Sequence, residues 1–313
     1  TDMDHFRFGI MSICGKCHQD IAKTYFDTYH GKVTQLGYVK TAKCYDCHGA
    51  HDILPINDPR SRLSHANVVK TCQKCHPGAN RQFAGYLTHA THHEPVKYPF
   101  LFYTFWAMTA LLIGTFLFFG LHTFAWFPRS LKLRRAHPPA AYNSREQQYV
   151  RFNSFYRTLH LMVIVSFFGL AITGMTLKFS YTKWAAVLSH ILGGFESAGY
   201  IHRVCAVITF TYVALHLWEV WRRKRREKRT WRETLFGTNT ILFTKRDFWE
   251  FIGSIKWFLG LGPRPNYGRW TYWEKFDYLA VFWGVTVIGI SGLMLWFPGF
   301  FTRFIPGWFI NVA

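Results

Sequence analysis

Residues 99–128 contain no Asp, Glu, Lys or Arg, and the same holds for 158–177 and 278–302. A helix rises about 1.5 Å per residue, so each run is long enough to cross the roughly 30 Å of hydrocarbon in a bilayer. Inside hydrocarbon a backbone amide has no water to bond, which makes the helix the form such a run takes. A fourth candidate carries Arg203 and Glu219 near its ends around an uncharged stretch from Val204 to Trp218. The expected spans are about 99–127, 155–178, 199–221 and 274–298.

The mean hydropathy near zero averages two unlike regions, and composition changes near residue 96. Residues 1–96 are polar and rich in histidine, whereas 97–313 alternate apolar runs with basic blocks. The first region holds Cys14-Gly-Lys-Cys17-His18, Cys44-Tyr-Asp-Cys47-His48 and Cys72-Gln-Lys-Cys75-His76, which together use six of the seven cysteines. One Cys-x-x-Cys alone would read as a zinc site or a redox dithiol. Three, each followed by histidine, read as attachment sites for covalent c-type haem, with His18, His48 and His76 as iron ligands. Three haems c make redox chemistry the expected business of the chain.

Each iron also needs a sixth ligand. The region offers His5, His30, His51, His65, His89, His92 and His93 beyond the proximal three, against only Met3 and Met11. Bis-histidine ligation is the economical expectation, with lower potentials than His/Met haems and menaquinol as a suitable donor. His30, His51 and His89 are the expected distal ligands, His65 and His92 the reserves. A segment this short has little conventional core, so porphyrins are expected to fill its interior, with short helical turns around 17–30 and 65–76. With its three motifs and His-rich spacers, the region resembles the multihaem c-type cytochromes.

The net charge of +20 would suggest nucleic acid in a soluble protein, but its position argues otherwise. Residues 129–151 hold Arg129, Lys132, Arg134, Arg135, Arg145 and Arg151 against Glu146, and 222–229 read Arg-Arg-Lys-Arg-Arg-Glu-Lys-Arg. Both blocks adjoin apolar spans, whereas the loop after the second span has only Lys178, Lys183 and Glu196. By the positive-inside rule, 129–151 and 222–272 are cytoplasmic, and 178–199 and the amino-terminal domain are outside. The basic blocks then meet anionic lipid, and no nucleic-acid partner is expected. The chain begins at Thr1 without a secretory signal, so an upstream segment is expected to be missing from it.

His202 and His216 lie fourteen residues apart, close to four helical turns, which puts both on one helix face about 21 Å apart. That spacing suits two stacked b-type haems. His160 and His122 are further candidates in the first two spans, and His190 falls in the outer loop. Arg151-Phe-Asn-Ser-Phe-Tyr-Arg157-Thr-Leu-His160, Leu170-Ala-Ile-Thr-Gly174, His202-Arg203 with His216, and Tyr272-Trp-Glu-Lys-Phe-Asp-Tyr278 leading to Ser291-Gly-Leu-Met-Leu-Trp296 resemble the dihaem cytochrome b subunits of formate dehydrogenases and nickel-iron hydrogenases. The similarity covers roughly 150–300. In the families resembled, c-type haem is attached on the outer face of the bacterial inner membrane, in agreement with the charge topology. The resemblance also implies a further helix with another histidine pair beyond the fourth span; if it supplies both partners, His160 lies beside a ligand or near a quinone, and otherwise His160 pairs with His216 and one haem lacks an evident partner.

Residues 245–260 separate apolar from charged groups and read as a helix lying in the cytoplasmic interface. Trp126, Trp218, Trp221, Trp273 and Trp296 fit interfacial belts. Arg157, His160, Glu274, Lys275 and Asp277 are polar groups near the same boundary, each more readily a boundary or salt-bridge residue than a quinone contact, and Cys205 reads as packing. The expected fold is mostly α: a small haem-packed cytochrome c domain plus a transmembrane bundle, four of whose spans are present. The expected function is electron transfer between menaquinone or another quinone and a periplasmic cytochrome or reductase, through three haems c and two haems b. The alternative is a non-catalytic anchor and wiring subunit that serves the other subunits of a larger redox complex.

Overall fold

The structure, a computed structural model, describes residues 2–136, 152–237 and 240–312, without the side chains of residues 2–5 and Phe8. Arg145, Glu146 and Arg151, and the side chains of Met3 and His5, lie outside the described residues. The described chain is mostly helical and has no strand. The amino-terminal region forms α1 (Asp2–Cys17), α2 (Gln19–Asp27), α3 (Tyr29–Gln35), α4 (Cys44–His48) and α5 (Val68–Gln73), then a single 3₁₀ turn at Phe83–Gly85. The rest forms α6 (Pro99–Ala136), α7 (Ser154–Lys178), α8 (Lys183–Ile191), α9 (Gly194–Arg226), α10 (Trp231–Phe236), α11 (Lys245–Leu259), α12 (Tyr272–Trp296), α13 (Pro298–Phe301) and α14 (Gly307–Val312).

Helices α6, α7, α9 and α12 are each long and apolar enough to cross a membrane, the build of a multi-pass membrane protein. Their large side chains face outward: Phe116 is 72% exposed, Phe124 79%, Phe167 63% and Ile288 66%. In water so much contiguous apolar surface would drive aggregation; in lipid it is the solvent-facing side.

The chain divides into two compact units, and the boundary does not fall at residue 96. The first comprises Thr1–Trp106, Met162–Thr209 and Ile288–Ala313. Its polar residues explain why the compositional border is not a border of packing. Tyr38 donates to the Glu196 carboxylate at 3.0 Å, and Ser180 to the Gln35 carbonyl at 2.8 Å. Asn80 donates to the Thr302 carbonyl at 3.1 Å, and the Leu87 amide to Asn311 Oδ1 at 2.8 Å. Gly307 meets Tyr86 and the Gln82 carbonyl so closely that any side chain there would overlap them. Cys205, expected as packing, does pack: it is buried, and its Sγ fills the space that a methyl on Gly169 would need.

The second unit comprises Ala107–Leu161 and Phe210–Val287. Helix α11 is amphipathic as expected but turns its acidic face onto protein. Asp247, Glu250, Ser254 and Trp257 are buried, while Phe248 and Trp249 are 59% and 68% exposed. The reason is available partners. Lys275 Nζ lies 2.9 Å from Asp247, with both side chains buried, and Arg246 bonds Glu250 at 2.7 Å. Asp247 also caps its own helix, accepting from the Thr244 amide and hydroxyl at 2.7 Å each. Gly260 ends α11 in the left-handed conformation, at φ 80°.

Burial raises the proton affinity of Asp247, but the bonds from Lys275 and Thr244 outweigh it and hold the carboxyl below its ordinary range. The stabilisation from this group is therefore complete above about pH 4, the ordinary carboxylate value, and is lost as pH falls through the depressed folded value. Lys275→Met should cost about 3–5 kcal/mol by leaving a buried carboxylate unpaired. Lys275→Met combined with Asp247→Leu should recover much of that loss. Denaturant unfolding in detergent micelles reads both, and equal losses in the single and double variants would refute the buried pair.

Candidate functional site

The three Cys-x-x-Cys-His motifs adopt one local form. His18 donates its amide to the Cys14 carbonyl at 3.0 Å, and His76 to Cys72 at 2.9 Å; the second motif is itself α4. A helical turn sets cysteines three apart on one face, and the histidine follows directly. The motifs also come together: Cys44 Sγ lies 3.7 Å from Met11 Sδ, in the turn before Cys14. Burial, with the nearby Cys72 and Asp46, pushes the Cys47 thiol up to about 11. All six thiols are free of disulfides.

Two of the three expected distal histidines face proximal ones. The His30 and His76 rings are 6.2 Å apart between centroids, and the His48 and His89 rings 6.4 Å. Two metal–nitrogen bonds of about 2 Å, plus the half-widths of two imidazoles, also come to roughly 6 Å. Each pair could therefore hold one iron between its rings. Burial lowers the proton affinity of His30 and of His89, which favours the neutral, ligating imidazole. His51 is exposed in the bend after α4, between Gly49 at φ 85° and the Asp52–Arg62 ion pair. His18 and His65 are exposed as well.

The orientation of His89 follows from a threonine. Thr24 Oγ1 lies 3.4 Å from His89 Nδ1 and gives its one hydrogen to the Ile21 carbonyl at 3.0 Å. The His89 ring also hydrogen-bonds the Ile21 backbone; with the Thr24 hydrogen on that carbonyl, the hydroxyl accepts, the arrangement that suits a proton on Nδ1 and an open Nε2. His202 on α9 repeats the device. Thr173 Oγ1 donates to the Gly169 carbonyl at 2.6 Å and lies 2.8 Å from His202 Nδ1, which leaves Nε2 free in the same way.

The other membrane histidines are placed differently. His216, on the same helix, bonds through Nε2 to the Tyr278 hydroxyl at 2.9 Å and meets the Phe282 ring at a tilt of 49°. His160 is exposed on α7. His122 Nε2 lies 2.5 Å from the Tyr272 hydroxyl, with Phe258 and Trp273 around the ring. Of the boundary groups, Lys275 is bound to Asp247, Glu274 closes a capping box with Thr271, and Arg157 is exposed. A cavity of about 200 Å³ beside Arg246, Asp247, Glu250, Arg269 and Lys275 is smaller than the ~300 Å³ at which pockets for organic ligands begin.

Sequence spacing could not find Thr24 and Thr173, because their significance lies in the hydroxyl's geometry. The caps were readable as Thr244-x-x-Asp247 and Thr271-x-x-Glu274. Comparison of the chain with protein-family models, curated proteins and solved structures returns no match.

Thr173→Val keeps the volume but removes the acceptor at His202 Nδ1, so a metal group bound at Nε2 should lose about 10–100-fold in affinity. Thr173→Ser should retain it. Titration of haem into the haem-depleted protein, followed by the Soret band, compares the two. Identical affinity in the Val and Ser variants would deny the hydroxyl this role.

Proposed function

We propose that the protein is a membrane electron-transfer module that links a quinone pool to a redox partner outside the membrane through c-type and b-type haem. The observation that carries this reading is the pairing of attachment-motif histidines His76 and His48 with His30 and His89, at 6.2 and 6.4 Å, in a chain with four helices able to cross a membrane. When bound, each haem supplies a one-electron Fe(III)/Fe(II) couple. The six motif cysteines anchor the c-type groups and His18, His48 and His76 bind their iron. Thr24 and Thr173 hold the imidazole proton on Nδ1 of His89 and His202, so that Nε2 binds. His216 is the second b-haem candidate, fourteen residues along α9.

Orientation in this proposal rests on charge. The basic ends of α6 (Arg129, Lys132, Arg134, Arg135) and of α9 (Arg223 to Arg226) sit on the cytoplasmic side, and the amino-terminal domain faces the periplasm. A quinol gives up two electrons and two protons; haems held by these histidines would supply the one-electron couples between it and a periplasmic cytochrome or reductase. The resemblance to cytochrome b subunits supports the quinone assignment and a place among the subunits of a bacterial inner-membrane complex.

A menaquinol analogue added to the purified, oxidised protein should reduce both the c- and b-type absorption bands. Haems c that never respond to quinol would sink the proposal. His30→Ala and His89→Ala should each turn one of the three haems c high-spin without loss of covalent haem; low-spin spectra throughout would show that neither histidine is a ligand.

A further inference from the structure

A second group of ligating side chains lies outside the paired histidines. Asp27, His92 and His93 present one carboxylate oxygen and two imidazole nitrogens, all within 4.8 Å of one another. Asp27 is the last residue of α2. His92 and His93 are in the turn that leads into α6, and a turn lets consecutive side chains approach: their rings are 4.0 Å apart. The His93 amide donates to Thr91 Oγ1 at 3.3 Å, and the face of His92 packs on Phe105 of α6 at 3.9 Å. The Asp27 carboxylate acts electrostatically on Lys32 as well as on His92.

We propose that Asp27, His92 and His93 form a binding site for a divalent transition-metal cation of the Zn²⁺ class. Two imidazoles and one carboxylate are a donor set that zinc accepts, with bonds of about 2.0–2.2 Å and a fourth position open to water. Donors on such a cation stand closer together than 4.8 Å, so binding draws the exposed His93 toward the other two donors. Burial lowers the proton affinity of His92, with His93, Lys178 and Lys32 acting in the same sense, so the cation meets a neutral ring. The two ammonium groups oppose a cation as well as a proton, and the Asp27 carboxylate offsets them. A bound ion ties the end of α2 to the turn before α6 and its first residues, Pro99–Trp106, all within the first unit.

The test uses the full-length, haem-loaded protein in detergent, stripped with a chelator and titrated calorimetrically with Zn²⁺. One ion per chain should bind at micromolar Zn²⁺. Asp27→Asn and His93→Ala should each weaken binding at least tenfold, while the haem spectrum stays unchanged. His93 is exposed, so its replacement leaves the fold intact. Zn²⁺ affinity unchanged in both variants would overturn the site. So would conversion of a haem c to high spin in His92→Ala with zinc binding preserved, because His92 would then belong to iron.

Discussion

Hydrocarbon offers no partner to a backbone amide, and the four long helices are this chain's answer to that constraint. The same constraint reaches the side chains. Hydroxyls on these helices return their hydrogen to the carbonyl one turn back: Thr115 to Leu111, Thr173 to Gly169, Thr209 to Cys205 and Thr286 to Phe282. A hydroxyl with its hydrogen spent has only lone pairs to offer. Thr173 is therefore an acceptor before any ligand is considered, and the tautomer of His202 follows. The exposed apolar faces, the back-bonded threonines and the orientation of a candidate ligand all derive from one solvent.

The amino-terminal region solves a different problem with similar means. It buries few large apolar side chains, Met11, Tyr25 and Val33 among them, and its most enclosed long residue is Lys43, 1% exposed. Lys43 Nζ donates to Thr34 Oγ1 and to the Thr41 carbonyl at 3.2 Å each, and burial pushes the ammonium down to about 8. Thr34 donates to the His30 carbonyl at 2.8 Å, so the backbone of a candidate ligand rests on this buried cation through one hydroxyl. Between α4 and α5 the path is held by side chains: Asn67 donates to the Pro59 and Ser61 carbonyls at 2.9 Å, and Thr71 to Arg62 at 2.7 Å. Hydrogen bonds that would otherwise build regular structure here fix the approach to Cys72.

Local pattern carried the long elements, because a span or an amphipathic helix is a property of adjacent residues. The expected 155–178 is Ser154–Lys178 and 245–260 is Lys245–Leu259, each within a residue at either end. Helix α6 runs on to Ala136, past the expected end at 127, because the basic residues beyond Trp126 continue a helix as readily as they end a span. Helix α1 was not expected: its aromatic, polar and glycine residues show no stripe at helical spacing. What spacing could not reach was pairing at a distance. Asp247 and Lys275 are 28 positions apart, and charges on α11 read as a solvent-facing side until the partner is known. That His30 and His89, and not His51, come to lie beside proximal histidines likewise depends on how the chain returns on itself.

His202 and His216 share a helix and differ in one neighbour, which decides what each is ready to do. The hydroxyl beside His202 has its hydrogen committed to a carbonyl and touches Nδ1, so Nε2 stays open. The hydroxyl beside His216 belongs to Tyr278, and it touches Nε2 itself. Whichever partner donates, this bond engages the Nε2 that iron would need, so the bond to Tyr278 and ligation at Nε2 exclude one another. Iron at His216 would need Tyr278 to turn away. Tyr278→Phe deletes that competitor while keeping the ring contacts with His216 and Phe282. It should therefore favour haem at His216 and leave His202 unaltered, the opposite sense to the loss of Thr173.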